Sequence, residues 1–121
     1  MKRHALIVFS NPVPGRESEF NEWYSQRHIQ DVLEVPGFLS AQRFRLAQDD
    51  ANAQWQYLAI YEFEAELPEG VLAELFNRAG SARMVLSDAM DMQHYSATPW
   101  VAITEKLGAN PNPNPNPNPN R

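Results

Sequence analysis

A chain of 121 residues and 13.8 kDa without cysteine has room for one core and excludes disulfide frameworks and thiolate chemistry. Ten basic against fifteen acidic residues leave a formal charge of −5, and scattered Lys and Arg form no phosphate-neutralising stripe, so neither nucleic acid nor an anionic membrane surface is an expected partner. No apolar run approaches the roughly 18–20 residues of a membrane span, and Met1-Lys2-Arg3-His4 leads into only five apolar residues, too few for a signal-peptide core, so a cytoplasmic protein is expected.

Ala5-Leu6-Ile7-Val8-Phe9 reads as a first strand, closed by Ser10-Asn11-Pro12-Val13-Pro14-Gly15, where two prolines and a glycine forbid its continuation. From Arg16 the acids Glu17, Glu19 and Glu22 crowd a helix start, where they suit the positive end of the dipole. Phe20, Trp23, Tyr24, Arg27, His28, Asp31 and Val32 then share one broad face, and the helix should stop before Pro36-Gly37. Phe38 to Leu46 and Trp55 to Phe63 alternate as two strands joined by the polar stretch Gln48 to Asn52, the pattern of an antiparallel hairpin. Pro68-Glu69-Gly70 opens a second helix with Val71, Leu72, Leu75 and Phe76 as its core stripe. Gly80-Ser81 interrupts it, and Ala82 to Met90 reads as a further short helix. His94 to Lys106 is the last expected strand, with Pro99 marking a bulge or an edge.

The order β-α-β-β-α-β is the ferredoxin-like plan, an α+β fold that lays a four-stranded antiparallel sheet under helices on one face. Residues 1–109 form this domain. The tail Asn110 to Arg121 alternates Asn and Pro, so every second residue lacks an amide proton, and an extended low-complexity arm is expected. Strand one is apolar on both faces, with Leu6 and Val8 against Ile7 and Phe9. Strand three sets Trp55, Tyr57, Tyr61 and Phe63 against Leu58 and Ile60. Helices cover only one sheet face, so the second apolar face calls for a partner sheet, and a two-fold homodimer is expected. The alternative is a monomer whose last loop or tail covers that face.

Phe20-x-x-x-Tyr24-x-x-x-His28 followed by Val35-Pro36-Gly37-Phe38 resembles the EthD-like branch of the dimeric α+β barrel superfamily, whose first helix carries Phe-x3-Trp/Tyr-x3-His before a Pro-Gly turn. Gly80 to Asp91 is similar to the segment such proteins place before the last strand. The resemblance implies a cavity between helices and sheet in each subunit of a homodimer, with the histidine as the recurring polar residue of the pocket. It implies no single activity, because the superfamily includes cofactor-free monooxygenases, lactone isomerases, polyketide cyclases, lyases and haem enzymes.

Read from the residues alone, Phe20, Tyr24 and His28 stack at i, i+4 and i+8 on the helix face that looks at the sheet. A histidine between aromatic rings is kept neutral by desolvation and able to accept a proton, which is what a general base needs. Asp31, three residues on, is placed to orient its ring, and Tyr24 is a hydroxyl donor or a wall. The alternative is a structural histidine bonded to a backbone carbonyl. Phe20 belongs to the same aromatic wall. Trp23 lines the pocket or a subunit contact. Asn11 presents an amide at the cavity mouth or serves a turn. Trp55, Tyr57 and Tyr61 form a ladder suited to a planar ligand or to core packing. Arg43 and Arg45 meet a carboxylate ligand or pair with Glu62 or Glu64 across the hairpin. His4 and His94 stand at no ligand spacing, so no metal site is expected.

No phosphate loop, P-loop or Gly-x-Ser-x-Gly motif occurs, so no nucleotide cofactor is expected. The functional expectation is a small cofactor-independent enzyme, whether isomerase, cyclase, lyase or monooxygenase. It would act on an apolar, aromatic metabolite by proton transfer through His28. The alternatives are a non-catalytic small-molecule-binding or accessory protein and a haem-binding enzyme.

Overall fold

The computed structural model describes residues 1–110 of the chain. Alternating β-branched and aromatic side chains build four strands, β1 (Lys2–Ser10), β2 (Phe38–Arg45), β3 (Tyr57–Ala65) and β4 (Ser96–Val101). The first helical region runs without interruption through α1 (Glu17–Trp23), a π-helical turn (Tyr24–His28) and α2 (Ile29–Leu33), and α3 spans Pro68–Arg78. The sheet order is β2-β3-β1-β4 and every neighbouring pair is antiparallel, which is the ferredoxin-like plan read from the sequence. Pro99 lies on the edge strand β4 opposite Leu6, where its missing amide proton costs the sheet nothing.

Alternation divides the sheet into two unlike faces. Leu6 on β1 and Ala59, Tyr61 and Phe63 on β3 turn toward the helices and join Phe20, Tyr24, Val32 and Leu75 in one buried core. Ile7, Phe9, Leu58 and Ile60 turn to the other face and are only half-buried, with no helix over them. Phe44 and Trp100 sit on the same open face at 41% and 60% exposure. Gly37 carries the chain from α2 into β2 at φ +105°, and a Cβ there would stand 3.2 Å from Val71 and 3.4 Å from the Glu64 carbonyl oxygen. Its own carbonyl accepts the Glu64 amide at 3.0 Å, so a bare backbone is required where helix, turn and sheet meet.

Four expectations are corrected. The first helix was expected to be α-helical throughout, and it contains the π turn, in which the Ile29 amide bonds the Tyr24 carbonyl five residues back. No helix forms over Ala82 to Met90. Gly80 enters at φ +86°, the Ser81 and Ser87 hydroxyls accept the amides of Arg83 and Ala89, and Val13 and Asn11 take the Ala89 carbonyl and the Asp91 amide, so the backbone is claimed by turns and by the β1 loop. Trp55 does not share a face with Tyr57 and Tyr61. Asn11 holds the Gln54 carbonyl and the Gln56 amide, β3 starts only at Tyr57, and the Trp55 ring lies against Phe9 at 6.1 Å on the open side. The last strand starts at Ser96 because the Asp91 carboxylate gathers the Gln93 amide and the His94 ring into a turn, and it ends at Val101 instead of Lys106. The Asn-Pro arm expected from Asn110 lies, beyond its first residue, outside the described residues.

Candidate functional site: an aromatic cavity beside His28

The first helical region positions the site. Arg16 at its start donates to the Glu19 carboxylate and to the Asp88 carboxylate and carbonyl, which ties the helix to the connector that follows α3. Phe20 is fully buried and meets Tyr24 edge-on with ring centroids 5.6 Å apart. One turn later the backbone widens into the π turn, an arrangement frequent at functional sites. Within and beside it, His28 stacks on Trp23 at 4.7 Å with the planes 25° apart, and it meets the Tyr24 ring edge-on at 4.9 Å.

These rings form one wall of a cavity of about 120 Å³ between helix and sheet. Trp23, Tyr24 and His28 supply that wall, Leu6, Val8 and Tyr61 the sheet side, and Leu75 and Phe76 the α3 side. Met84, Leu86, Met90, Met92 and Tyr95 roof it from the non-helical connector. The space is of the order of the roughly 150 Å³ apolar cavity that admits benzene. Three flexible methionines in the roof let such a space adapt to larger shapes. Trp23 fastens the roof, since its indole N–H donates to the Val85 carbonyl at 3.0 Å.

The polar groups here are few and distinctive. His28 Nδ1 is buried and has no hydrogen-bond partner among the described residues. Burial pushes the imidazole down to about 4, with the nearby Asp31 carboxylate opposing and the Arg43 guanidinium assisting. It is therefore neutral at pH 7. Tyr61 donates to the Tyr24 hydroxyl oxygen at 3.1 Å, and burial raises both phenols, Tyr61 further because its oxygen neighbours that of Tyr24. Arg43 lies under these rings, its guanidinium carbon 4.4 Å from the Tyr24 centroid and 5.3 Å from that of Phe20.

Of the sequence-read site residues, the structure brings Trp23, Tyr24, His28 and Tyr61 together around the cavity. Phe20 packs behind them in the core. Tyr57 stands beyond Phe20, 5.2 Å from it, and its hydroxyl accepts from Asn21. Asn11 is taken up by the Gln54 and Gln56 backbone and does not line the cavity, nor does Trp55 on the open face. Asp31 does not bond the His28 ring; its carboxylate accepts from Arg27 at 3.0 Å, one turn back on the same helix. Arg43 finds neither Glu62 nor Glu64, because register puts it on the helix face and them on the other. It bonds Ser25 and Asn21 instead. The signal for Arg43 was a cation, shared with Arg45, in the inward series Phe38, Ala41, Arg43 and Arg45; the place of the methionines as a roof had none, because the segment read as a helix folds as turns.

His4 is stacked on Phe63 in the core and His94 is paired with Asp91 at the surface. Among the described residues no three of His, Asp and Glu gather as a metal site. Haem has four pyrrole rings, and a cavity sized for about one ring does not fit it around His28.

Among solved structures, the fold is similar to that of a protein of Shewanella loihica PV-4 provisionally named a monooxygenase, with a TM-score of 0.55 and 20% identity over 85% of this chain and 96% of that one. It is also similar to the Streptomyces coelicolor monooxygenase ActVA-Orf6, solved with nanaomycin D, with a TM-score of 0.50 and 20% identity over 89% and 93%. An EthD family protein of Bacillus halodurans C-125 matches at a TM-score of 0.46 and 10% identity over 88% and 100%. The first two likenesses bear out the α+β fold that the first-helix resemblance implied. No curated protein matches the sequence. No helix among the described residues is long and apolar enough to cross a membrane. Residues 8–69, which hold the end of β1, the aromatic helix and the hairpin, match the family described as a domain of unknown function, DUF4286, and the chain belongs to that family.

Proposed function

We propose that the chain is a small cofactor-independent enzyme that binds an apolar, ring-bearing metabolite in the cavity and moves a proton on it through His28. The observation that carries this reading is a neutral imidazole with a buried, unpartnered Nδ1 in the wall of an apolar cavity. Buried polar atoms are normally satisfied, and an exception in a cavity wall calls for a ligand group to bond it. An imidazole held near 4 in the cavity wall is a weak base. A substrate that gives up its proton there leaves an anion beside the ring, and that opposite charge raises the imidazole's proton affinity as transfer occurs. The nanaomycin D bound by ActVA-Orf6 supports an aromatic ligand for this fold.

The experiment compares turnover of phenols, quinols and lactones by the wild type and by His28→Gln across pH 4 to 9. Loss of turnover with binding retained supports acid–base work. Equal turnover sinks it. A second reading, a binding protein in which His28 only accepts a ligand hydrogen bond, is favoured by the same low proton affinity; it predicts binding without turnover.

We further propose that the open face of the sheet pairs with that of a second copy. Ile7, Phe9, Leu58, Ile60, Phe44 and Trp100 form an apolar surface in register on four strands, of the kind that monomers seldom expose. Light scattering at micromolar concentration should give a dimer, and Ile60→Lys a monomer. A wild-type monomer ends this proposal and leaves the cavity reading untouched.

A further inference from the structure

We infer that Tyr24 receives an oxygen of the ligand as a hydrogen-bond donor strengthened by Tyr61 on its own oxygen and Arg43 beneath its ring, so that the cavity selects a ring bearing a carbonyl or an acidic hydroxyl. The inference rests on the cavity being a ligand site. Tyr61 uses its proton on the Tyr24 oxygen at 3.1 Å, and the Tyr24 proton has no acceptor among the described residues. A phenol that accepts one hydrogen bond donates the next more strongly. Both side chains line the cavity.

Arg43 supplies the charge. Its guanidinium carbon is 4.4 Å from the Tyr24 ring centroid, and neutral acceptors hold it there, the Ser25 hydroxyl at 2.8 Å and the Asn21 side-chain oxygen at 3.0 Å. No carboxylate pairs with it among the described residues. The titratable groups that face it are the phenols of Tyr24, Tyr61 and Tyr57, with His28, which is neutral, also within its reach. A cation without a carboxylate partner, half-buried under a buried ring, is screened less than one in open water and acts on whatever negative charge develops at the hydroxyl above it. Arg43 does not line the cavity, so it is a positioning residue that acts through Tyr24.

The test uses 4-nitrophenol, a single-ring probe whose phenolate absorbs in the visible, with binding followed by equilibrium dialysis and ionisation by absorbance against pH. Bound probe should ionise more readily than free probe by about tenfold in proton affinity, as a charge-assisted bond to an oxyanion gives. Tyr24→Phe and Arg43→Met should still bind the probe but lose the shift, Tyr61→Phe should lose part of it, and Arg43→Lys, which keeps the charge, should restore what Arg43→Met loses. If bound probe ionises at or above the pH of free probe, or if Tyr24→Phe keeps the shift, the inference is wrong while the cavity still binds rings. If no probe is retained in dialysis, the cavity reading falls and the inference with it.

Discussion

His4 and His28 are both held flat against an aromatic ring, yet their surroundings differ in one respect that decides what each can do. His4, on β1, is 4% exposed and lies 7° from the plane of Phe63 at 4.9 Å, and its Nδ1 stands 3.1 Å from the Lys2 carbonyl. His28 stacks on Trp23 at 4.7 Å, but its buried Nδ1 bonds nothing among the described residues. The bonded structural histidine, one of the two outcomes open for His28 at the sequence level, is what His4 turns out to be. Stacking alone does not separate the two; the unsatisfied nitrogen beside a cavity does, and the proposed role of His28 rests on it, because leaving such an atom unpaired costs about 1–3 kcal/mol.

The largest effect that would break this comparison is kinetic. His28→Gln should lower turnover of any substrate found by about 100-fold or more, the usual contribution of a positioned acid or base, and His4→Gln in the same assay should leave the rate of the folded protein within a few-fold. Equal losses in both would mean that the two histidines differ only in geometry.

The next effect is on stability against pH. His28 titrates near 4 in the folded chain against about 6.5 when unfolded. Between those values the unfolded chain binds the extra proton, so stability is full above pH 6.5 and falls as pH drops toward 4, by up to about 3 kcal/mol. Urea titrations from pH 7.5 to 4 should show that slope in the wild type and lose it in His28→Leu. At pH 7 the same substitution should leave stability unchanged or raise it, whereas His4→Ala, which empties a packed site and abandons a carbonyl, should cost about 2 kcal/mol. A His28→Leu protein that keeps the slope would place the acid sensitivity elsewhere.

Those contrasts also mark what the sequence could disclose. Strand and helix order were legible because alternation and the i, i+4, i+8 aromatic series are local patterns, and the turn at Pro36-Gly37 follows from backbone sterics. The association of Tyr24 with His28 was legible for the same reason. Three features were not. The π turn depends on one displaced backbone bond, which no side chain announces. The pairing of Asp31 with Arg27 instead of His28 is a choice between two neighbours on one helix face, at i−4 and i−3, which spacing alone does not settle. Arg43 depends on strand register, which puts it under Tyr24 and Glu62 on the opposite face. The methionine roof was misread because serine turns and the β1 loop claim the backbone that helical propensity would have used.

The smallest predicted effect tests whether roof and histidine are joined. Trp23 takes part in both, stacking on His28 with one face of its ring and holding Val85 through its N–H. Trp23→Phe keeps an aromatic ring against the imidazole and deletes the bond to the roof, so it should cost about 1 kcal/mol, the worth of one hydrogen bond. Amide exchange should then quicken from residue 82 to 87 and stay unchanged from Asp88 on and in β1 and β3, because the Arg16–Asp88 pair and the Val13–Ala89 bond still anchor the far end of the connector. The His28 titration, followed by NMR, should stay near 4 if desolvation by the ring sets it. If it rises with the faster exchange, water entering through the roof reaches the imidazole, and the same tryptophan both closes the cavity and keeps its histidine neutral.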